Sequence, residues 1–171
     1  LLTHMDFDHT AGLPDFPDAT VHVCQREYQA AMRPKGVIAR NRYHPGHYRD
    51  HAHWSLETLE DPETQWFGVR SATCLRLLGH EIWMVPLFGH TPGHCGVAVA
   101  LEDGSWLLHA GDVAYSFAEM RRRHRRPALL RAFQRSVHLD VALLLQEQER
   151  VWQWHQGGVI HVILSHDQSE L

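Results

Sequence analysis

The chain has 171 residues, enough for one domain with a real core and too few for two ordinary ones. Its 44% hydrophobic and 21% charged residues are those of a globular protein, and it has no run of about eighteen uncharged apolar residues that would cross a membrane as a helix. A net charge of −4 argues against a surface built for polyanions, and three cysteines without CxxC spacing (Cys24, Cys74, Cys95) favour reduced thiols and a cytoplasmic location.

In chain order, Leu1-Leu2-Thr3 reads as the end of a buried strand whose beginning lies outside the sequence, so an N-terminal segment is expected to be missing. A short helix around Thr10 is expected to be broken by Pro14 and Pro17. Residues 19–24 (ATVHVC) alternate as a strand does, and 25–33 (QREYQAAMR) hold helix formers up to Pro34. From 34 to about 66 the chain is polar, with Gly36, Pro45 and Gly46, which predicts a long loop or lid. Residues 73–78 and 82–88 are predicted strands joined by Gly79-His80. Residues 96–101 (GVAVAL) and 105–110 (SWLLHA) form a second pair across Asp103-Gly104, a strong hairpin turn. Helices are expected over 127–135 and 139–156, the second closed by Gly157-Gly158. The apolar run 159–164 (VIHVIL) suits a strand buried on both faces. Strands, then helices, then a strand describe a layered α/β domain over 1–171, with a lid or insertion at about 34–66.

Sixteen histidines exceed ordinary usage several-fold, and histidine is the commonest metal ligand. Polar clusters follow four of the predicted strands: His4, Asp6, Asp8 and His9 (HMDFDH), His90 and His94 (GHTPGH), Asp112 (GD) and His166 (SHD). Strand ends are where α/β sheets collect ligands. In an extended stretch residues 4, 6 and 8 point one way, so His4, Asp6 and Asp8 can converge, and His9 joins them where Thr10-Ala11-Gly12 lets the chain turn. One ion needs three or four protein ligands, so this many candidates suit two ions sharing a carboxylate. Taken singly, each has a plainer reading: a solvated loop for the opening cluster, a structural His90, a capping Asp112, a surface His166.

HxDxDH, GHTPGH, GD and a late SHD, in that order, resemble the metallo-β-lactamase superfamily, most closely its glyoxalase II and lactonase-like hydrolases. The resemblance implies an αββα sandwich whose first strands would lie before Leu1. It also implies that His4, Asp6 and His90 hold one metal, that Asp8, His9 and His166 hold a second, and that Asp112 bridges them. His94 would then orient a ligand rather than be one. The family usually has histidine where this chain has Asp6. Two divalent ions bring four positive charges, which Asp6, Asp8, Asp112 and a bridging hydroxide would balance, so the substitution favours a harder ion, with iron or manganese competing against zinc.

The implied function is a metal-dependent hydrolase that uses a metal-bridging hydroxide on a carboxylic ester, lactone or thioester. Asp8 would pass a proton to the leaving group. Tyr115, three residues after Asp112, stands where lactonases of this superfamily keep a tyrosine that steadies the carbonyl oxygen under attack; a half-buried structural tyrosine is the equal alternative. Two divalent ions, with zinc first, and a small-molecule substrate are the expected partners, with no membrane. The alternatives are an iron-dependent, sulfur dioxygenase-like oxidoreductase and a phosphodiesterase or nuclease. His44, His47, His51 and His53 fit no tight metal set and are expected to be surface or substrate contacts. The basic run 121–126 lacks interleaved aromatics and is expected to be solvated rather than to bind nucleic acid. Tyr43, Tyr48, Trp54 and Trp66 are candidates to wall a substrate pocket, and Trp152 and Trp154 for the core.

Overall fold

A computed structural model describes residues 1–121 and 138–167. Its largest sheet has the order β5-β6-β7-β8-β9, from strands Thr73–Leu77, His80–Pro86, Cys95–Ala100, Trp106–His109 and Ile160–Ile163. The first four are antiparallel neighbours, as the two predicted hairpins require, and β9 returns parallel to β8 with Trp106 opposite Ile160. The β7–β8 turn has Gly104 at φ 84° and Asp103 Oδ1 accepting the Ser105 N–H at 2.9 Å, the chemistry anticipated there.

A second sheet is only two strands wide: β1 (Val21–Cys24) and β2 (Trp54–Glu57) run parallel. Leu2 N–H donates to the His22 carbonyl, and the Thr3 carbonyl accepts the Cys95 N–H, both at 2.9 Å. Backbone hydrogen bonds from the first three residues thus join β1 to β7 and place His4 between the sheets. A small hairpin, β3 (Gln65–Trp66) with β4 (Val69–Arg70), forms a separate two-stranded sheet whose Trp66 and Val69 join the main core.

Helix α5 (Val141–Gly157) packs against β9. The Asp140 carboxylate accepts the Leu143 N–H at its start, and Gly158 takes the left-handed conformation at its end. Its inner face joins the main core, in which Leu87, Leu108, Leu144 and Val151 are fully buried. Burial of such side chains stabilises by roughly 1.5–3 kcal/mol each. A second core, around Met5, Val23, Ala31, Tyr43 and Tyr48, lies beneath α2 (Gln25–Met32) and α3 (Gly36–Arg42).

Several expectations are corrected. Residues 34–66 are not a loop throughout, because they contain α3 and β2. Tyr43, Tyr48 and Trp66 are core residues, and Trp54 packs on the second core. β9 is an edge strand covered on one face: Ile160 and Val162 are buried while His161 is exposed. The stretch after His4 is extended only to Asp6, since Phe7–Thr10 makes one helical turn, α1. Trp152 and Trp154 do pack against the main core. A short α4 (Phe117–Arg121) was not anticipated. The helix expected over 127–135 and the basic positions 122–126 lie outside the described residues. Among the described residues Cys24, Cys74 and Cys95 are free thiols, and no helix is long and apolar enough to cross a membrane.

Candidate metal centre

Four chain segments, the first residues and those that follow β6, β8 and β9, meet at one place. The first carries His4 and Asp6 in extended backbone and Asp8 and His9 on α1. The β6–β7 connection carries His90 and His94, the segment after β8 carries Asp112, and the segment after β9 carries His166. All seven predicted ligands are brought together. His4, His90 and Asp112 offer ligand atoms within 4.8 Å of one another, and so do Asp8, His9 and His166. Asp112 links the sets, with Oδ1 3.2 Å from His9 Nε2 and Oδ2 3.1 Å from His166 Nε2. His4 Nε2 is buried and aimed into the centre, 3.5 Å from Asp6 Oδ2 and 3.9 Å from Asp112 Oδ2, with no well-formed hydrogen bond to either. The donor set fits divalent ions: imidazoles and carboxylates in two groups of three, His4–His90–Asp112 and Asp8–His9–His166, with Asp112 facing both.

Glycines in the motifs make this convergence possible. A Cβ on Gly93 would lie 2.3 Å from the Glu27 backbone nitrogen, and one on Gly111, at φ 57°, would lie 2.6 Å from His94 Nε2. His94 is fully buried and acts on Asp112 through the backbone: its Nε2 accepts the Asp112 N–H at 2.9 Å while Nδ1–H donates to the Leu87 carbonyl. That pairing fixes the tautomer and holds the loop carrying Asp112. Burial keeps both His90 and His94 neutral by lowering their pKa values, which is the ligating form. Burial would raise the Asp6 carboxyl, yet the adjacent His4 and His90 imidazoles and the Arg42 charge hold it well below the usual carboxylate range. Asp112 is lowered in the same way, against its own burial, by His9 and His4.

Three functional residues escaped the sequence reading. Glu27, fully buried on α2, accepts from the Met5 and Gly93 N–H groups at 3.0 Å and from the Tyr43 hydroxyl at 3.1 Å. His138 faces His90, Nδ1 to Nδ1 at 2.8 Å, which turns His90 Nε2 toward Asp6 at 3.1 Å. Arg42, the last residue of α3, donates through Nη1 to both Asp6 oxygens, at 2.9 and 2.7 Å. Each contact spans 16 residues or more of sequence, so no local spacing announces it.

Beside the centre lies a cavity of about 640 Å³ lined by Asp6, Asp8, His90, Asp112, Tyr115 and His166, with Ile38, Asn41 and Arg42 of α3 along one side. The Tyr115 ring centroid is 6.0 Å from that of His166. Burial, reinforced by the Asp112 charge, pushes the Tyr115 phenol up to about 12, so it remains a proton donor through the neutral range. None of Tyr43, Tyr48, Trp54 or Trp66 lines this cavity, which corrects their expected role as its wall. Among the described residues, His44, His47, His51 and His53 form no metal-holding group; His47 reaches Thr10 Oγ1 at 3.3 Å, and His51 reaches the Ala19 carbonyl at 2.9 Å.

No protein-family model matches the chain. Two curated proteins, from Mycobacterium bovis and Mycobacterium tuberculosis and each named a probable metallo-hydrolase, are 36% identical over 171 residues, covering 98% of this chain and 54% of theirs. The chain therefore spans about half the length of the curated relatives it matches. A probable metal-dependent hydrolase from Staphylococcus aureus superimposes with a TM-score of 0.68 at 19% identity, covering 97% of this chain and 53% of that one. An N-acyl homoserine lactone hydrolase with the product N-hexanoyl-L-homoserine at its catalytic metal centre gives 0.67 at 17%, covering 98% and 55%. The dizinc quorum-quenching lactonase AidC gives 0.64 at 14%, covering 96% and 56%. At these identities the structural likeness speaks to the fold.

Proposed function

We propose that this chain is a metal-dependent hydrolase of the metallo-β-lactamase superfamily acting on a small carboxylic ester, lactone or thioester, a lactone being the first choice. The observation that carries the reading is the closure of six side chains, from the first segment and from the segments after β6, β8 and β9, into two groups that meet at Asp112, with Asp6 beside the first. In this reading 1–171 forms one domain of the fold, acting in the cytoplasm, and within the 34–66 segment α3 is the part that borders the site. His4, Asp6, His90 and Asp112 would hold one divalent ion, and Asp8, His9, His166 and Asp112 the other. Zinc is the first choice. Iron or manganese are the alternatives that the extra negative charge of Asp6 favours; in the metal-free chain that charge is held by Arg42.

Bound there, two divalent ions supply a water of lowered pKa and an electrophile for the substrate carbonyl. The protein's own groups do the rest. The protonated Tyr115 phenol faces the same cavity and can donate to the carbonyl oxygen as negative charge develops. Asp8 is partly exposed at the cavity, 3.6 Å from His166 Nε2, where it can pass a proton to a leaving alkoxide or thiolate. The lactonases among the similar structures support a lactone as substrate.

The test is a panel of lactones, esters and thioesters offered to the chain loaded with zinc, manganese or iron. Hydrolysis should require metal and be lost in Asp112→Ala and His166→Ala. Oxygen uptake with a persulfide and no hydrolysis would move the assignment to an iron oxidoreductase. Turnover of a phosphodiester alone would make it a phosphodiesterase.

A further inference from the structure

Arg42 does more than balance a charge. Its side chain is buried, and its Nη1 is 2.7 and 2.9 Å from the two oxygens of Asp6 and 3.0 Å from His90 Nε2. A guanidinium nitrogen thus lies among the donor atoms of two residues assigned to the first ion. Asp6 is correspondingly absent from the group that closes on that position, which consists of His4, His90 and Asp112. At the second position Asp8, His9 and His166 close on one another and on Asp112. Arginine has no accessible neutral form and no lone pair to offer, so it can neither ligate an ion nor yield by losing a proton. It can only move.

We propose that Arg42 is a resident cation at the first metal position, and that a divalent ion gains Asp6 and His90 there only by displacing its guanidinium. The two positions therefore fill unequally, the Asp8–His9–His166 position first. The displacement is a swing of the side chain rather than a movement of α3. The next residue, Tyr43, is anchored by its hydroxyl to the buried Glu27, and Arg42 already borders the cavity, which has room to receive it. The proposal rests on the metal-centre reading above and adds an order of occupancy to it.

Zinc titration of the metal-free chain against a chromophoric chelator, counting equivalents, tests this without recourse to activity. The expected result is one tight equivalent and a second weaker by about 100-fold, the effect of a full positive charge within contact distance of two ligands. Arg42→Gln, which keeps a hydrogen-bond donor but loses the charge, should bind two equivalents of similar affinity, and Arg42→Lys should behave as the parent. Two equal equivalents in the parent, or weaker binding in Arg42→Gln, would overturn the proposal and leave the metal centre standing. No zinc bound at all would overturn both. The parent chain supplies a measurement that needs no variant. Labelling of Arg42 by phenylglyoxal, followed by peptide mass spectrometry, should rise between the first and second equivalents, and unchanged labelling through the second would also overturn it.

Discussion

Glu27 shows how much of the centre depends on a residue that touches no metal position. Its carboxylate joins the backbone between His4 and Asp6, the backbone of the GHTPGH loop, and the hydroxyl of Tyr43 next to Arg42. In Glu27→Gln one acceptor oxygen becomes an amide that can only donate, facing a backbone N–H that can only donate as well. The expected cost is about 1–3 kcal/mol in urea unfolding, with weaker zinc binding because two ligand loops loosen together. A variant matching the parent in both would show the brace to be dispensable. Tyr115 is the opposite case, a residue to which the proposed function gives a chemical role. Tyr115→Phe should lower kcat about 100-fold with KM and zinc content little changed, the pattern of a donor used in the transition state. An unchanged kcat would return it to a half-buried structural tyrosine. The seven candidate ligands were legible because each sits in a short motif whose neighbours explain it. Glu27, Arg42 and His138 were illegible because their partners are brought to them by the fold.

Among the elements, α5 was legible at its C-terminal end, where the expected glycine pair leaves Gly158 at φ 75°; its start was expected at 139, whereas the Asp140 cap begins it at Val141. Asp140→Ala should cost about 1 kcal/mol in thermal or chemical unfolding, since the Leu143 N–H loses its acceptor. The hairpin strands were equally legible, because alternation and the Asp103-Gly104 turn agree. By contrast α3 (GVIARNR) opens on a glycine at φ 82° and carries few apolar residues, so propensity gave no warning of it. Its stability comes from packing, with Ala39 and Tyr43 in the second core. The edge position of β9 was hidden too, because its apolar run does not reveal that α5 covers only one face. Gly93 belongs to this scale, where backbone meets backbone. Gly93→Ala would drive a methyl to within 2.3 Å of the Glu27 nitrogen on α2, which cannot retreat without taking its helix along. A loss of more than about 3 kcal/mol is expected, read from the denaturation midpoint, with Gly96→Ala milder because its contacts are mainly the ends of leucine side chains.

For the whole molecule, the centre adds to the buried cluster of Cys24, Leu59, Met84 and Cys95 in joining the two sheets. The two-stranded sheet reaches the five-stranded one through the backbone of residues 2 and 3, through Glu27, and through the side chains around Asp112. With metal bound, His4 and His9 of the first segment, His90 of the second and His166 of the last would share ions with Asp112, and folding would be linked to occupancy. An ion that binds the folded chain at a free concentration about 1,000 times its Kd adds about 4 kcal/mol of stability. For a chain of this length that corresponds to a rise of roughly 10 °C in Tm. The measurable signature is a logarithmic climb of Tm with zinc in calorimetry, reversed by chelator. Asp112→Asn should flatten that climb most, because it weakens both positions together. His166→Ala should lose only the stability contributed by the second position. A Tm independent of zinc would mean that the seven side chains meet without an ion to hold, and the metal-dependent reading of this chain would fall with it.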